Sequence, residues 1–439
     1  RRVLFRSGAM DQNLPLSACL VAVTIGLWAT ARLPDYLVAL LFFAAVAVLR
    51  LAPADILFSG FSSAAFWLVL SGFVLGAAIR KVGLADRIAG LLVAHLAGSW
   101  PRMVGGVVLL TYALAFVMPS NMGRIALLLP IVMALADRVG LVEPDRGRIG
   151  LALAVGFGTF QLSASILPAN VPNLVMSGAA ESAYGLHLSY LSYLALHAPV
   201  LGILKGGALT LCICTLFPVV PGAPGAMLAH APMSASEWRL AALLLVTLGL
   251  WMTDQVHGIS PAWIGLAAAC VCLLPRIGFL TGDEFASGVS FRTCLYIAGI
   301  LGLAAFVTHS GLGARIGTAL VGLLPLEVGR PMANFGALVG LTTALSFVVT
   351  ANGVPALYTP LAPSLASSTG FSLAATLMVQ VIGYATPLLP YQASPIVVAM
   401  GMGKVPARDG IRLSLTLAAI TLLVLVPLDA LWFAWLGWI

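Results

Sequence analysis

The sequence predicts an all-α integral membrane protein made of two inverted repeats, five spans each, with one re-entrant hairpin per repeat. Three observations predict it. First, 61% of the 439 residues are hydrophobic and only 8% are charged, with a mean hydropathy of +1.05; a soluble domain carries about 25% charged residues. Second, two apolar runs are too long for one span and break at a polar, Gly- or Pro-containing centre. Third, the order of parts in the first half repeats in the second.

This composition excludes soluble globular, disordered and fibrous classes. The length accommodates about ten spans of roughly 20 residues. The net charge of +7 comes from 22 Lys and Arg scattered singly between apolar runs, with no basic stripe, so a nucleic-acid partner is excluded. The six cysteines fall in or beside apolar runs. Both Cys-x-Cys pairs sit on helices, where i and i+2 diverge, so all six read as packing residues.

Along the chain, residues 1–9 read as a vector-derived leader and Met10 as the native start. The first repeat covers 10–217. Apolar runs at 14–30, 35–50 and 60–79 give three spans, 103–136 an inner hairpin, 149–180 a broken span and 190–217 a closing span. The stretch 218–237, rich in Pro, Gly and Ala, reads as a linker. The second repeat covers 238–439: spans at 238–253, 259–275 and 290–308, an outer hairpin at 332–364, a broken span at 373–402 and a closing span at 411–437.

The hairpins break at Pro119-Ser120-Asn121-Met122-Gly123 and Thr350-Ala351-Asn352-Gly353. The broken spans carry polar elbows, Leu167-Pro168-Ala169-Asn170-Val171-Pro172-Asn173 and Leu389-Pro390-Tyr391-Gln392-Ala393-Ser394-Pro395, where proline removes donors. Non-helical backbone at membrane depth is tolerated only inside protein or beside a watery cavity. Local matches support the repeat: Gly83-Leu84-Ala85-Asp86-Arg87-Ile88 answers Gly311-Leu312-Gly313-Ala314-Arg315-Ile316. Segments 83–97 and 311–325 read as interfacial arms. Two similar halves with an odd span count must be inverted, the plan of secondary transporters.

Charge placement orients the chain. With the N-terminus outside, Arg80, Lys81, Arg87, Arg102, Arg138, Arg146, Arg148, Arg239, Arg276, Arg292 and most other cations lie inside, and only Arg50, Arg315 and Arg330 lie outside.

Polar residues at depth converge on the two tips and the two elbows. They are Ser120, Asn121, Arg124, Asn170 and Asn173 in the first half, and Thr350, Asn352, Gln392 and Ser394 in the second. Met122, Gly123, Ala351, Gly353 and Ala393 complete these turns. Exposed helix N-termini with amide and hydroxyl donors suit a small carboxylate or oxyanion. Arg124 offers a fork for a bidentate anion; the alternative is a pair with carbonyls at the hairpin mouth. Lys205, in the middle of the run 190–217, lines a cavity or holds a fixed positive charge in place of a coupling cation. His197 and His309 read as satisfied structural histidines, and Asp254 and Asp429 as interfacial carboxylates. No Walker A loop and no His-Glu-x-x-His occur, so neither an enzyme nor a primary pump is predicted.

At the tips the sequence resembles the divalent anion/sodium symporter family, the dicarboxylate, citrate and sulfate carriers, from about residue 14 onward. Family members have Ser-Asn-Thr at each tip, here Ser120-Asn121-Met122 and Ala351-Asn352-Gly353. They have a Thr-Pro-Pro-Asn-like elbow after each hairpin, here Asn170-Val171-Pro172-Asn173 and Ala393-Ser394-Pro395. The resemblance implies a homodimer in the lipid bilayer, with a scaffold domain and a transport domain that moves as an elevator. It implies a substrate between the tips, contacted by Asn121 and Asn352, and one sodium ion beside each hairpin, here near Ser120, Asn121 and Asn352. It also implies an additional first span, so ten spans rather than eleven are expected here unless the sequence is truncated at its start.

Met122, Gly353 and Ala351 depart from the pattern, and Met sulfur does not suit a hard cation. Sodium, proton and exchange coupling therefore stay as alternatives, with Arg124 or Lys205 as a built-in charge. The expected function is secondary transport of small dianions across a cell membrane (the inner membrane in a bacterium). C4-dicarboxylates come first, then sulfate or sulfonates, then citrate. An anion channel and a carrier of another solute within the wider ion-transporter superfamily are the alternatives.

Overall fold

The computed structural model describes residues 4–30, 32–84, 87, 98–118, 120–141, 145–221 and 232–439. The first three helices are α1 (Leu4–Thr30), α2 (Asp35–Val48) and α3 (Ala64–Val82). The first hairpin is α4 (Trp100–Ala115) and α5 (Asn121–Arg138), its arms meeting at the expected break. The first broken span is α6 (Arg146–Gln161) and α7 (Val171–Tyr184), followed by α8 (Tyr190–Leu216). The second half repeats this order. It runs α9 (Ala235–Met252), α10 (Pro261–Leu273), α11 (Phe291–His309), an arm α12 (Leu312–Val321), the hairpin α13 (Pro331–Val348) and α14 (Val354–Thr369), the broken span α15 (Leu373–Tyr384) and α16 (Ser394–Met402), and α17 (Ala407–Trp435).

Six of these helices have the length and apolarity to cross a membrane alone: α3, α8, α9, α11, α13 and α17. Helix α13 nevertheless ends at a hairpin tip, so length alone miscounts the crossings. Helix α1 starts at Leu4, ten residues before the expected span. Helix α9 starts inside the expected linker because Ser234 and Glu237 close a reciprocal capping box there.

Details of local structure repeat as well. Both third spans end on a left-handed glycine, Gly83 at φ +83° and Gly311 at φ +74°, a conformation that favours glycine. Both closing spans carry a π-helical stretch next to a proline, Ala198–Leu204 with Pro199 and Thr421–Leu425 before Pro427. Proline withholds a donor, and a wider turn accommodates the lost bond. The arm α12 links α11 to the second hairpin and packs on α14. Its first-half counterpart, 83–97, lies largely outside the described residues.

Packing interleaves the repeats. Helix α11 lies along α2, and α10 along α3. The approach is close: a Cβ at Gly299 would sit 2.3 Å from Ala39 Cβ. A second layer joins the hairpins and broken spans. Helix α16 crosses to pack on α6, and a Cβ at Gly156 would lie 2.7 Å from Ala399 Cβ. Helix α7 crosses the other way to pack on α3, α11 and α14. At one end of the bundle, Arg87 donates to both carboxylate oxygens of Glu237 (2.6 and 3.2 Å) and Lys81 meets Glu284 at 2.6 Å, tying first-half helices to the second half.

Candidate anion site at the hairpin tips

The break in the first broken span starts earlier than its prolines, at Leu162. Ser163 and Ser165 turn their hydroxyls back onto the carbonyls of Phe160 and Leu162 (3.0 and 2.8 Å) and end α6. The elbow this frees is the base on which the first tip rests. Asn121 Nδ2 donates to Asn170 Oδ1 at 2.9 Å, and Ser163 Oγ donates to Asn121 Oδ1 at 3.2 Å. Asn170 Nδ2 donates to the Phe160 carbonyl at 3.1 Å. Asn173 Nδ2 holds the carbonyls of Ala164 and Ile166 (3.0 and 2.9 Å), and its Oδ1 accepts from the Tyr384 hydroxyl of the second repeat at 2.7 Å.

Arg124 is buried at the centre of this arrangement. Its Nη1 donates to the Met118 carbonyl. Its Nη2 donates to Asn121 Oδ1 and, at 3.1 Å each, to the carbonyls of Thr159 and Ala169. The arginine expected to face substrate is thus engaged by four protein oxygens, one each from tip, α5, α6 and elbow. Lys205, on α8 of the first repeat, plays the parallel part at the broken span of the second repeat. It is buried, and its Nζ donates to the Ala385 carbonyl at 2.7 Å and Thr386 Oγ1 at 3.1 Å, where α15 breaks. Each broken span therefore has a fixed cation on the carbonyls where its first half-helix ends, the negative end of the helix dipole.

The second tip clamps to its own elbow. Ala351 N–H donates to the Gln392 carbonyl at 2.8 Å, Gln392 Nε2 donates to Ser346 Oγ at 2.9 Å, and Gln392 Oε1 accepts from Leu389 N–H at 2.8 Å. Thr350 and Asn352 face Tyr296 of α11. Ala393 is buried, and Ser394 opens α16. Among the described residues no hydrogen bond joins the two tips.

Gly353 stands where the family has threonine, and a Cβ there would lie 2.9 Å from Val349 Cβ. Gly353→Thr is expected to open this turn and lower the melting temperature of the detergent-solubilised protein by several degrees, an overpacking cost of about 1–3 kcal/mol. An unchanged melting curve would contradict that account of the tip.

What faces open space at the first tip is Ser120, Met122 and Gly123. Ser120 Oγ caps α5 by accepting from Gly123 N–H at 3.1 Å, and Met122 is 42% exposed. They border a cavity of about 660 Å³ whose other wall includes Ser290, Arg80 and Arg292. Arg80 Nη1 reaches to 3.1 Å from where a Gly123 Cβ would be, so the missing side chain leaves room for the guanidinium. Arg292 lies over the Tyr36 ring at 5.7 Å. A helix N-terminus and two arginines around one cavity give it a positive field, the electrostatics that suit an anion.

Sequence reasoning read both arginines as topology signals only, because cations near span ends are commonplace. It also missed Ser163 and Tyr384, for which the chain carries no local motif. Two further readings need correction. His197 is buried with neither ring nitrogen partnered, and Asp429 is buried inside α17 rather than interfacial.

With the geometry in place, comparison with known proteins is informative. Residues 7–439 match the family described as sodium:sulfate symporter transmembrane region. The chain is 27% identical over 392 residues to an L-tartrate/succinate antiporter of Escherichia coli (strain K12), covering 85% of this chain and 79% of the relative. It is 25% identical over 403 residues to the chloroplastic dicarboxylate transporter 2.1 of Arabidopsis thaliana, covering 87% and 70%. Its fold resembles the YdaH transporter of Alcanivorax borkumensis, with a TM-score of 0.59 at 17% identity over 87% of this chain and 88% of the other. It also resembles MtrF of Neisseria gonorrhoeae, with a TM-score of 0.54 at 14% identity over 83% and 80%. The likeness found at the two tips extends over nearly the whole sequence, and the chain belongs to the sodium:sulfate symporter family of multi-pass membrane transporters, not enzymes.

Proposed function

We propose that the protein is a secondary transporter that exchanges small dianions, C4-dicarboxylates first, without sodium. The observation that carries this reading is the first tip. On one side the α5 N-terminus opens on a cavity flanked by Arg80 and Arg292; on the other an all-oxygen cage is already filled by Arg124. Carbonyl and amide oxygens at unwound helices are the ligands a sodium ion takes in such carriers. Here those oxygens bind a guanidinium and, in the second repeat, an ammonium, so the residues at these positions do not fit a sodium ion.

A carrier with a permanent internal positive charge favours the loaded, neutralised state for crossing. Its empty form crosses slowly, and this enforces exchange. The relatives named as a tartrate/succinate antiporter and a dicarboxylate transporter support the substrate class.

In this reading the hairpins and broken spans form the transport domain, and α2, α3, α10 and α11 form the scaffold. Movement of one past the other carries the site across the membrane. Arg80 and Arg292 lie on the side assigned to the interior by charge placement, so the described conformation faces inward. The protein works as a homodimer in a cell membrane, as the family resemblance implies.

The test of the substrate class is inhibition of labelled succinate counterflow in proteoliposomes. Unlabelled tartrate, malate and sulfate are expected to compete, and the neutral diamide of succinate is not. Equal inhibition by the diamide would overturn the anion reading.

A further inference from the structure

The two closing spans contain a group of buried ionisable side chains; the exchange cycle uses one of them, Lys205, and gives Asp429 and His197 no part. Helices α8 and α17 pack together where their π-helical stretches meet. Trp432 Nε1 donates to the Ala195 carbonyl at 3.3 Å, and the His197 ring packs on Phe433 at 5.8 Å between centroids. Asp429 lies one helical turn before Phe433, on the same face of α17. Both its carboxyl oxygens are buried without a hydrogen-bond partner, and so are both nitrogens of His197. Lys205, about two turns beyond His197, lies within electrostatic reach of Asp429 while its Nζ holds the break of the second broken span.

The other titratable groups of the surroundings are phenols. The Tyr193 ring packs tilted on His197 with centroids 4.5 Å apart, Tyr112 of α4 packs against Gly202, and Tyr384 ends α15. Helix α13, packed on α17, contributes no titratable residue between 331 and 348.

An unpartnered carboxyl in the membrane interior marks a functional site more often than a structural one. π-Helical stretches inside α-helices gather at functional sites too. We propose that Asp429, beside Lys205 and His197, forms a proton-binding site whose occupancy sets the rate of anion exchange. A proton from water adds to an Asp429 oxygen and leaves by the reverse step; no other bond forms or breaks. With the carboxyl protonated, the Lys205 ammonium is held by Ala385 and Thr386 alone. With the proton gone, the carboxylate competes for that ammonium and draws it from the break. Proton occupancy thereby sets how firmly the second broken span is held, and this is the link to movement. The π-helical stretches adjoin both residues, His197 directly before one and Asp429 four residues past the other, and both side chains lie in the core of the protein.

This inference rests on the transporter reading above, and the experiment separates the two. Proteoliposomes with equal succinate on both sides are given an acid exterior and an alkaline interior, and labelled succinate uptake is followed. Wild-type protein is expected to take up label at a clearly different initial rate than at equal pH, while the final level, fixed by one-for-one exchange, stays the same. Asp429→Asn is expected to keep exchange at equal pH and lose the response to the gradient. Wild-type exchange that ignores the gradient would overturn the proton site and leave the exchanger intact, whereas no wild-type exchange at all would overturn the exchanger. Infrared difference spectra between acid and alkaline pH test the site without transport. A titrating carboxylic C=O band that disappears in Asp429→Asn is expected, and its persistence in the variant would overturn the assignment whether or not that variant transports.

Discussion

Replacing Arg124 with methionine is expected to abolish succinate counterflow and to destabilise the protein more than any other change at the tips. The side chain is similar in length and apolar, so the loss is specific to the guanidinium. Three buried carbonyls (Met118, Thr159 and Ala169) lose the guanidinium at once, and Asn121 Oδ1 keeps only its bond from Ser163. Breaking a buried charged contact by removing one partner costs about 3–5 kcal/mol. Arg124→Lys keeps the charge but not the fork, and is expected to restore part of the stability and little of the exchange. Arg124→Ser leaves the oxygen cage open, and any activity it retains is expected to depend on sodium. Thermal unfolding in detergent and counterflow with and without sodium check all three. A methionine variant that exchanges at the wild-type rate would remove Arg124 from the account.

Arg80→Gln is expected to raise the apparent KM for succinate with little change in thermal stability. Arg80 is exposed to the cavity and, among the described residues, has no hydrogen-bond or ion-pair partner to orphan. A hydrogen bond to a charged group contributes about 1.5–3 kcal/mol, which corresponds to a roughly ten- to hundredfold rise in KM. Arg292→Gln should act in the same direction and more weakly, because that guanidinium is also held over Tyr36. Raising ionic strength should weaken the wild type more than either variant. An unchanged KM in the double variant would argue that the cavity is not on the substrate's path.

The architecture was legible because it is written in hydropathy and in breaks. The polar breaks at Pro119 to Gly123 and Thr350 to Gly353 interrupt runs that nothing else explains, and the described residues Ser120 to Gly123 and Thr350 to Gly353 lie at hairpin tips. The boundaries of the breaks were less legible. The first starts at Leu162 because two serines bond their own carbonyls, a local competition that hydropathy does not register.

At the site, residue types were legible and partners were not. Arg124 stood out as a cation in an apolar arm, yet its acceptors come from three separate segments, and only the fold brings Thr159 and Ala169 to it. Arg80 and Arg292 looked like ordinary flanking charges until the first tip was placed between them. Asp429 and His197 were read from their nearness to span ends, a position that does not tell which side chains are buried without partners.

The central claim is sodium-free exchange built on fixed internal cations. The most direct measurement is labelled succinate uptake into proteoliposomes with and without internal unlabelled succinate, each in sodium and in choline buffer. Uptake that requires internal anion and proceeds equally in sodium and choline is the predicted result. Accumulation in empty vesicles driven by a sodium gradient would contradict the account, because it would mean that a sodium ion binds and crosses beside the guanidinium of Arg124 and the ammonium of Lys205.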